Sequence, residues 1–232
     1  VVPSGGGGTI ALDAITTGVA STTVNSGTSV TTGTITVAAG ATIAVCFCEE
    51  SLDSALDSAI TGEALTFAGA TPTLLAGSKK HSGGDANTDG FGQLFTLLAP
   101  PTGSAKSATW APTYTGGTLK LCDMLMAATF TGALAATPFV LCTPVNGNAV
   151  ASLTLTATLA TGDLLVGLCL NGAALPTVTT GTSIGSVTGS TNTGSHAGMR
   201  VATKAGAGSQ SIVFGTGGAD FSVATGIVLK AA

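Results

Sequence analysis

Residues 151–170 read ASLTLTATLATGDLLVGLCL, and the first half of that stretch alternates strictly. Leu153, Leu155, Ala157 and Leu159 take one side, and Ser152, Thr154, Thr156 and Thr158 the other, which is the period-2 pattern of a half-buried strand. Ala160, Thr161, Gly162 and Asp163 supply turn chemistry. The next run puts Leu164, Val166, Leu168 and Leu170 on one side and Leu165, Gly167 and Cys169 on the other, so it reads as a central strand buried on both faces. An amphipathic strand joined by a tight hairpin turn to a buried one needs water on one side and a second sheet on the other. The pattern predicts an all-β fold, an antiparallel β-sandwich.

The same reading places strands at 9–15, 34–37, 42–48, 64–67, 72–75, 91–98, 107–110 and 119–129. Further strands are expected at 177–179, 196–203, 210–214 and 223–229. Between them, Glu49, Glu50, Asp53, Asp57 and Glu63 fall within fifteen residues. Leu52, Leu56 and Ile60 recur at i, i+4 and i+8, which predicts a short surface helix ended by Gly62, a solvated cover over a sheet edge.

The two halves echo one another. ITVAAGATIAVCFC from Ile35 resembles the segment at 156–170, TPTL from Thr71 is matched by LPTV from Leu175, and TGGTLKLCDMLM from Thr115 by TGGADFSVATGIVL from Thr216. The offset is a little over about 100 residues and shrinks along the chain. The expected organisation is one β-sandwich domain over 9–232, with pseudo-repeated halves at about 9–145 and 146–232, each giving half the strands. Ahead of it, 1–8 read as a flexible arm, because four consecutive glycines are costly to order.

Charge narrows the picture. Only 8% of the residues are charged, against a usual ~25%, so Thr, Ser, Gly and Asn must cover the surface, as suits a packed, repetitive assembly. A net charge of -4 with seven basic residues leaves no Lys/Arg stripe for nucleic acid. Met124 to Cys142 is the longest apolar stretch, but Thr129, Thr131, Gly132, Thr137 and Pro138 interrupt it, so it reads as strand and loop and no membrane partner is expected. The start, VVPSGGGGT, carries no signal-peptide pattern and is read as following a removed methionine.

Candidate chemistry is sparse. Five cysteines, Cys46, Cys48, Cys122, Cys142 and Cys169, lack CxxC spacing and read as core residues of a protein made in a reducing cytosol. Gly181-Thr182-Ser183-Ile184-Gly185 has the letters of a nucleophile elbow, which needs a strand before and a helix after; a Ser/Thr/Gly run at 186–195 follows instead. No carboxylate is placed beside His81 or His196, so catalytic and cofactor-binding residues are expected to be absent. Asp85, Asn87 and Asp89, followed by Gly90, have the DxNxDG spacing of a calcium loop. Thr96 stands where a twelfth-position glutamate would be, so at most a weak Ca2+ site is expected, and the same residues also make a plain loop.

LLAPPTG (97–103), TFTGALAATPF (129–139), GDLLVG (162–167) and the closing VATGIVLKAA (223–232) resemble motifs of the jelly-roll-like β-sandwich virion proteins of tailed bacteriophages, which include capsid decoration or cement proteins and related appendages. The resemblance covers most of 35–232 in the right order, through short structural motifs. One departure is that related sequences carry an aromatic pair where this chain has Leu94 and Phe95. The resemblance implies no catalytic residues. It implies a non-enzymatic protein of the virion surface, made in the host cytoplasm, that binds and stabilises the shell of major capsid protein; a symmetric homo-oligomer, a trimer at a local threefold, would suit that role. The alternative is a tail or head-fibre module that binds a host receptor or glycan. Sugar sites favour aromatic platforms, and this chain has one Trp and one Tyr, Trp110 and Tyr114, of which Trp110 is expected in the core.

Overall fold

Leu164–Asn171 is buried along its whole length, and the computed structural model stacks the remaining strands around it in layers. The described residues are 8–21, 28–52, 60–81, 90–114, 121–190, 196–218 and 220–232. In chain order the strands are β1 (Ala11–Ile15), β2 (Val19–Ala20), β3 (Val30–Thr31), β4 (Ile35–Val37), β5 (Ala41–Leu52), β6 (Ile60–Phe67) and β7 (Thr73–Leu74). There follow β8 (Lys80–His81), β9 (Phe91–Leu98), β10 (Gly103–Lys106), β11 (Ala108–Tyr114), β12 (Leu121–Thr131), β13 (Phe139–Leu141) and β14 (Val145–Asn148). The last are β15 (Ser152–Leu159), β16 (Leu164–Asn171), β17 (Thr177–Thr180), β18 (Thr182–Ser190), β19 (His196–Ala205), β20 (Gly208–Gly215) and β21 (Phe221–Leu229). No helix occurs among the described residues, so none there is long and apolar enough to cross a membrane.

Two large antiparallel sheets form the inside. One runs β1-β12-β5-β9-β7, with β2 also on β12 and β8 on β9; the other runs β13-β21-β16-β19-β18, with β14 also on β21. They face each other across a central core in which Ile43, Val45 and Phe47 of β5 and Met126 of β12 meet Val166 and Leu168 of β16. Smaller sheets cover the outer sides: β3-β11-β6 and β10-β4 over the first inner sheet, β15-β20-β17 over the second. A core with Cys46, Phe67, Phe95 and Trp110 lies under the first cover, and one with Leu155, Leu165, Cys169, Ile212 and Phe214 under the other.

This layering explains the two sequence patterns. A strand in an inner sheet has an apolar core on each face, so β16 sends Val166 and Leu168 one way and Leu165 and Cys169 the other. A cover strand has one wet face, so in β15 Leu153, Leu155 and Leu159 are buried while Ser152, Thr154, Thr156 and Thr158 are exposed.

Three local expectations are corrected. The turn at 160–163 closes no hairpin: β15 pairs with β20, and β16 with β19 and β21, so the turn carries the chain from cover to inner sheet. Leu153 and Leu155 thereby face Leu165 across a core instead of lying beside it. The surface helix is not formed as expected either. Leu52 ends β5 and Ile60 opens β6, which pairs with β11; Leu56 lies outside the described residues. Finally, much of the Ser/Thr/Gly run at 186–195 belongs to β18, hydrogen-bonded along β19.

Residue 8 meets the last residue of the sequence. Gly8 N–H donates to Ala232 O (2.8 Å), Ala232 N–H to Gly132 O (2.9 Å) and Ile10 N–H to Gly162 O (3.2 Å). Residue 8 of the expected arm is therefore pinned; 1–7 lie outside the described residues.

Candidate functional site

The candidate residues that the structure describes sit in strands and cores. Asp85, Asn87 and Asp89 lie outside the described residues, while Gly90, just before β9, is buried. Among the described residues no group of three His, Cys, Asp or Glu side chains could hold a metal ion. Ser183 lies on β18 and its Oγ takes a hydrogen bond from Arg200 Nη1 (3.2 Å), so the elbow letters sit in a strand and lack the strand–turn–helix setting. Trp110 is fully buried, with Phe91 edge-on at a ring-centroid distance of 6.5 Å. An indole so enclosed offers no platform to a sugar. The side chains of Tyr114 and His196 lie outside the described ones.

All five cysteines are free and buried. Burial pushes the Cys46 and Cys122 thiols up to about 12 and Cys142 to about 11, and raises Cys48 and Cys169 as well. Thiols held protonated in this way are poor nucleophiles.

The acidic stretch divides in a way its letters do not announce. Glu63 accepts a hydrogen bond from Gln93 Nε2 (2.8 Å) and faces Lys79 Nζ at 3.8 Å. That ammonium also lies over the Phe91 ring, 3.9 Å from its centroid, a cation–π contact. Glu49, in contrast, sits in the middle of an inner sheet and is fully buried, so it is no part of a solvated cover. The signal was there: Glu49 continues the alternation of Ile43, Val45 and Phe47 on one face of β5.

What remains outward is a hydroxyl surface. On β15 the wet face is Ser152, Thr154, Thr156 and Thr158, and it runs in unbroken register beside β20. Thr156 Oγ1 and Ser211 Oγ are 2.9 Å apart, and Thr179 Oγ1 donates to Val213 O (3.3 Å). None of the three strands of this sheet contains Asp, Glu, Lys or Arg. The opposite cover behaves alike at Thr31 and Thr109, whose hydroxyls are 2.9 Å apart. Beside β15 a groove of about 250 Å³ is lined by Val140, Leu141, Cys142, Thr156, Thr158 and Lys230. Val140, at 58% exposure, is its most open apolar side chain. Together these features provide a neutral face that hydrogen-bonds and carries a small apolar foothold at its edge. No family model, no curated protein and no solved structure matches this chain.

Proposed function

We propose that this chain is a non-enzymatic structural protein of a tailed-phage virion, a decoration or cement protein that binds the shell of major capsid protein and stabilises it. The observation that carries the reading is the uncharged hydroxyl face of β15, β20 and β17. A freely diffusing protein gains solubility from mixed surface charge. A face with none fits a partner that is itself extended and neutral, met in many copies, where each contact adds a modest amount of buried surface.

The motif resemblance supports the same reading, and so does the arrangement of strands within each half. β5 lies between β12 and β9, as β16 lies between β21 and β19. β4 leads into β5, and β15 into β16, from a cover to an inner sheet. The reading takes the chain as two related jelly-roll-like halves, joined back to back and assembled as a homo-oligomer, a trimer at a local threefold. The burial of Trp110 withdraws one of the two side chains, with Tyr114, that a glycan-binding appendage would use as an aromatic platform.

The test is the copy number of the chain in purified virions, by quantitative mass spectrometry. Hundreds of copies in fixed ratio to the major capsid protein are expected. A handful would move the protein to the tail or fibre, and complete absence from the particle would sink the virion reading.

A further inference from the structure

Glu49 is 0% exposed, and neither of its carboxyl oxygens has a hydrogen-bond partner. Its phase on β5 is that of Ile43, Val45 and Phe47, so it points into the central core between the two inner sheets. Its register neighbours are Met124 on β12 and Gly92 on β9. The second inner sheet closes over Gly92: a Cβ built there would lie 3.1 Å from Leu168, 3.5 Å from Val223 and 3.8 Å from Thr225. Thr225 Oγ1 is likewise buried without a partner. Glu49 therefore stands where the two halves of the chain are pressed together.

The strands that enclose it carry no compensating positive charge: β5, β9, β12, β16 and β21 contain no Lys, Arg or His. On its cross-strand row Lys80 of β8 lies half-buried beyond Gly92, two strands away, while His81 packs edge-on to Phe91 on the cover side. The titratable groups near it are thiols, Cys122 on β12 and Cys169 on β16, both held neutral by burial and pushed further up by Glu49. Asp123 follows Cys122 on β12 and by strand alternation belongs to the other face of that sheet. On β19, Met199 and Val201 take the central core, while Arg200 turns away to Pro176 O and Ser183 Oγ. β18 contributes Val187.

We propose that Glu49 makes the union of the two inner sheets proton-dependent: with its carboxyl neutral the central core closes around it, and when it ionises the sheets are driven apart. Desolvation sets the direction, since burial holds this carboxyl well above the usual carboxylate range. The folded state thus binds the proton more tightly than the unfolded state. Stability is fully present below the unfolded value of about 4.3 and falls as pH rises toward the folded value, by up to about tenfold in the folding constant per pH unit.

The experiment compares the full chain with Glu49→Gln, which keeps shape and cannot ionise, from pH 5 to pH 8. The variant's melting midpoint is expected to exceed the wild type's by a margin that widens steadily with pH. Hydrogen exchange gives the location: the ratio of wild-type to variant exchange rates in peptides from β5 and β16 should rise severalfold between pH 5 and pH 8, the intrinsic pH dependence cancelling in the ratio. Should Glu49→Gln not fold, Glu49→Leu supplies the same comparison. Parallel melting profiles, or an exchange ratio that does not change with pH, would overturn the proposal.

Discussion

Asp163, in the turn between β15 and β16, is ion-paired with Lys230, the residue that follows β21. The carboxylate also accepts from Ala231 N–H (3.0 Å) and Ala160 N–H (2.9 Å), so one side chain fastens a cover-to-inner turn to the end of the chain. Burial by itself would raise its pKa, but the hydrogen bonds from Lys230, Ala231 and Ala160 outweigh it and hold the carboxyl below its ordinary value.

Replacing Asp163 by Ala is expected to lower stability by about 2 kcal/mol, because it strips a charge-assisted bond and leaves backbone donors unpaired. The change should show in the urea midpoint with an unaltered m-value. Because the folded pKa is depressed, the contribution of this group is present above its unfolded value of about 3.9 and is lost as pH falls through the folded one. Acid titration of wild type and Asp163→Ala should therefore converge below pH ~4. Glu49 has the opposite sign, and the two dependences can be separated in one set of melting curves.

Thiol labelling reads the burial of all five cysteines. With the thiols buried and their pKa values raised, an aromatic disulfide reagent at pH 8 should titrate none in the native protein and five after denaturation. Rapid reaction of one thiol in native protein would mean that its core opens.

Gly189 on β18 tests why an edge strand can be so poor in large residues. A Cβ there would lie 2.2 Å from Cys122 Sγ, which could give way only by changing rotamer inside the core, and 3.0 Å from Ala20 Cβ, which cannot swing aside. Gly189→Ala should cost about 1–3 kcal/mol by overpacking, measured as a shift in the denaturation midpoint.

This glycine also marks the limit of what the letters reveal. Strands whose apolar residues alternate or run on, β15 and β16 foremost, were legible, because burial on one or both faces writes itself into every second residue. β18 was not: close approach to β12 requires absent side chains, and absence reads as a loop. The partner of β15 was equally hidden, since β20 lies some fifty residues further on and pairing of that range leaves no local mark. Glu49 failed for the converse reason. A charged letter signals water, and only its phase within β5 announced the core. For the surface, low charge and the Thr/Ser rows were readable, but which of two hydroxyl faces adjoins the apolar groove depends on how the sheet edges meet.

That adjacency gives the last prediction. If β15, β20 and β17 make the docking face, a single charge at its middle should disrupt docking without disturbing the fold. Thr156 is exposed, pairs with Ser211 across the strands and lines the groove that holds Val140. Thr156→Glu leaves the buried face of β15 intact, so stability should change by less than about 0.5 kcal/mol, as for surface substitutions generally. Binding to purified shells lacking the protein should fall at least about tenfold, because a carboxylate without a partner must lose its water as the face closes. Thr31→Glu, on the opposite cover, serves as the control and should bind as the wild type does. Equal loss from both variants would mean that both covers touch the shell, and loss from Thr31→Glu alone would transfer the docking face to the other side of the molecule.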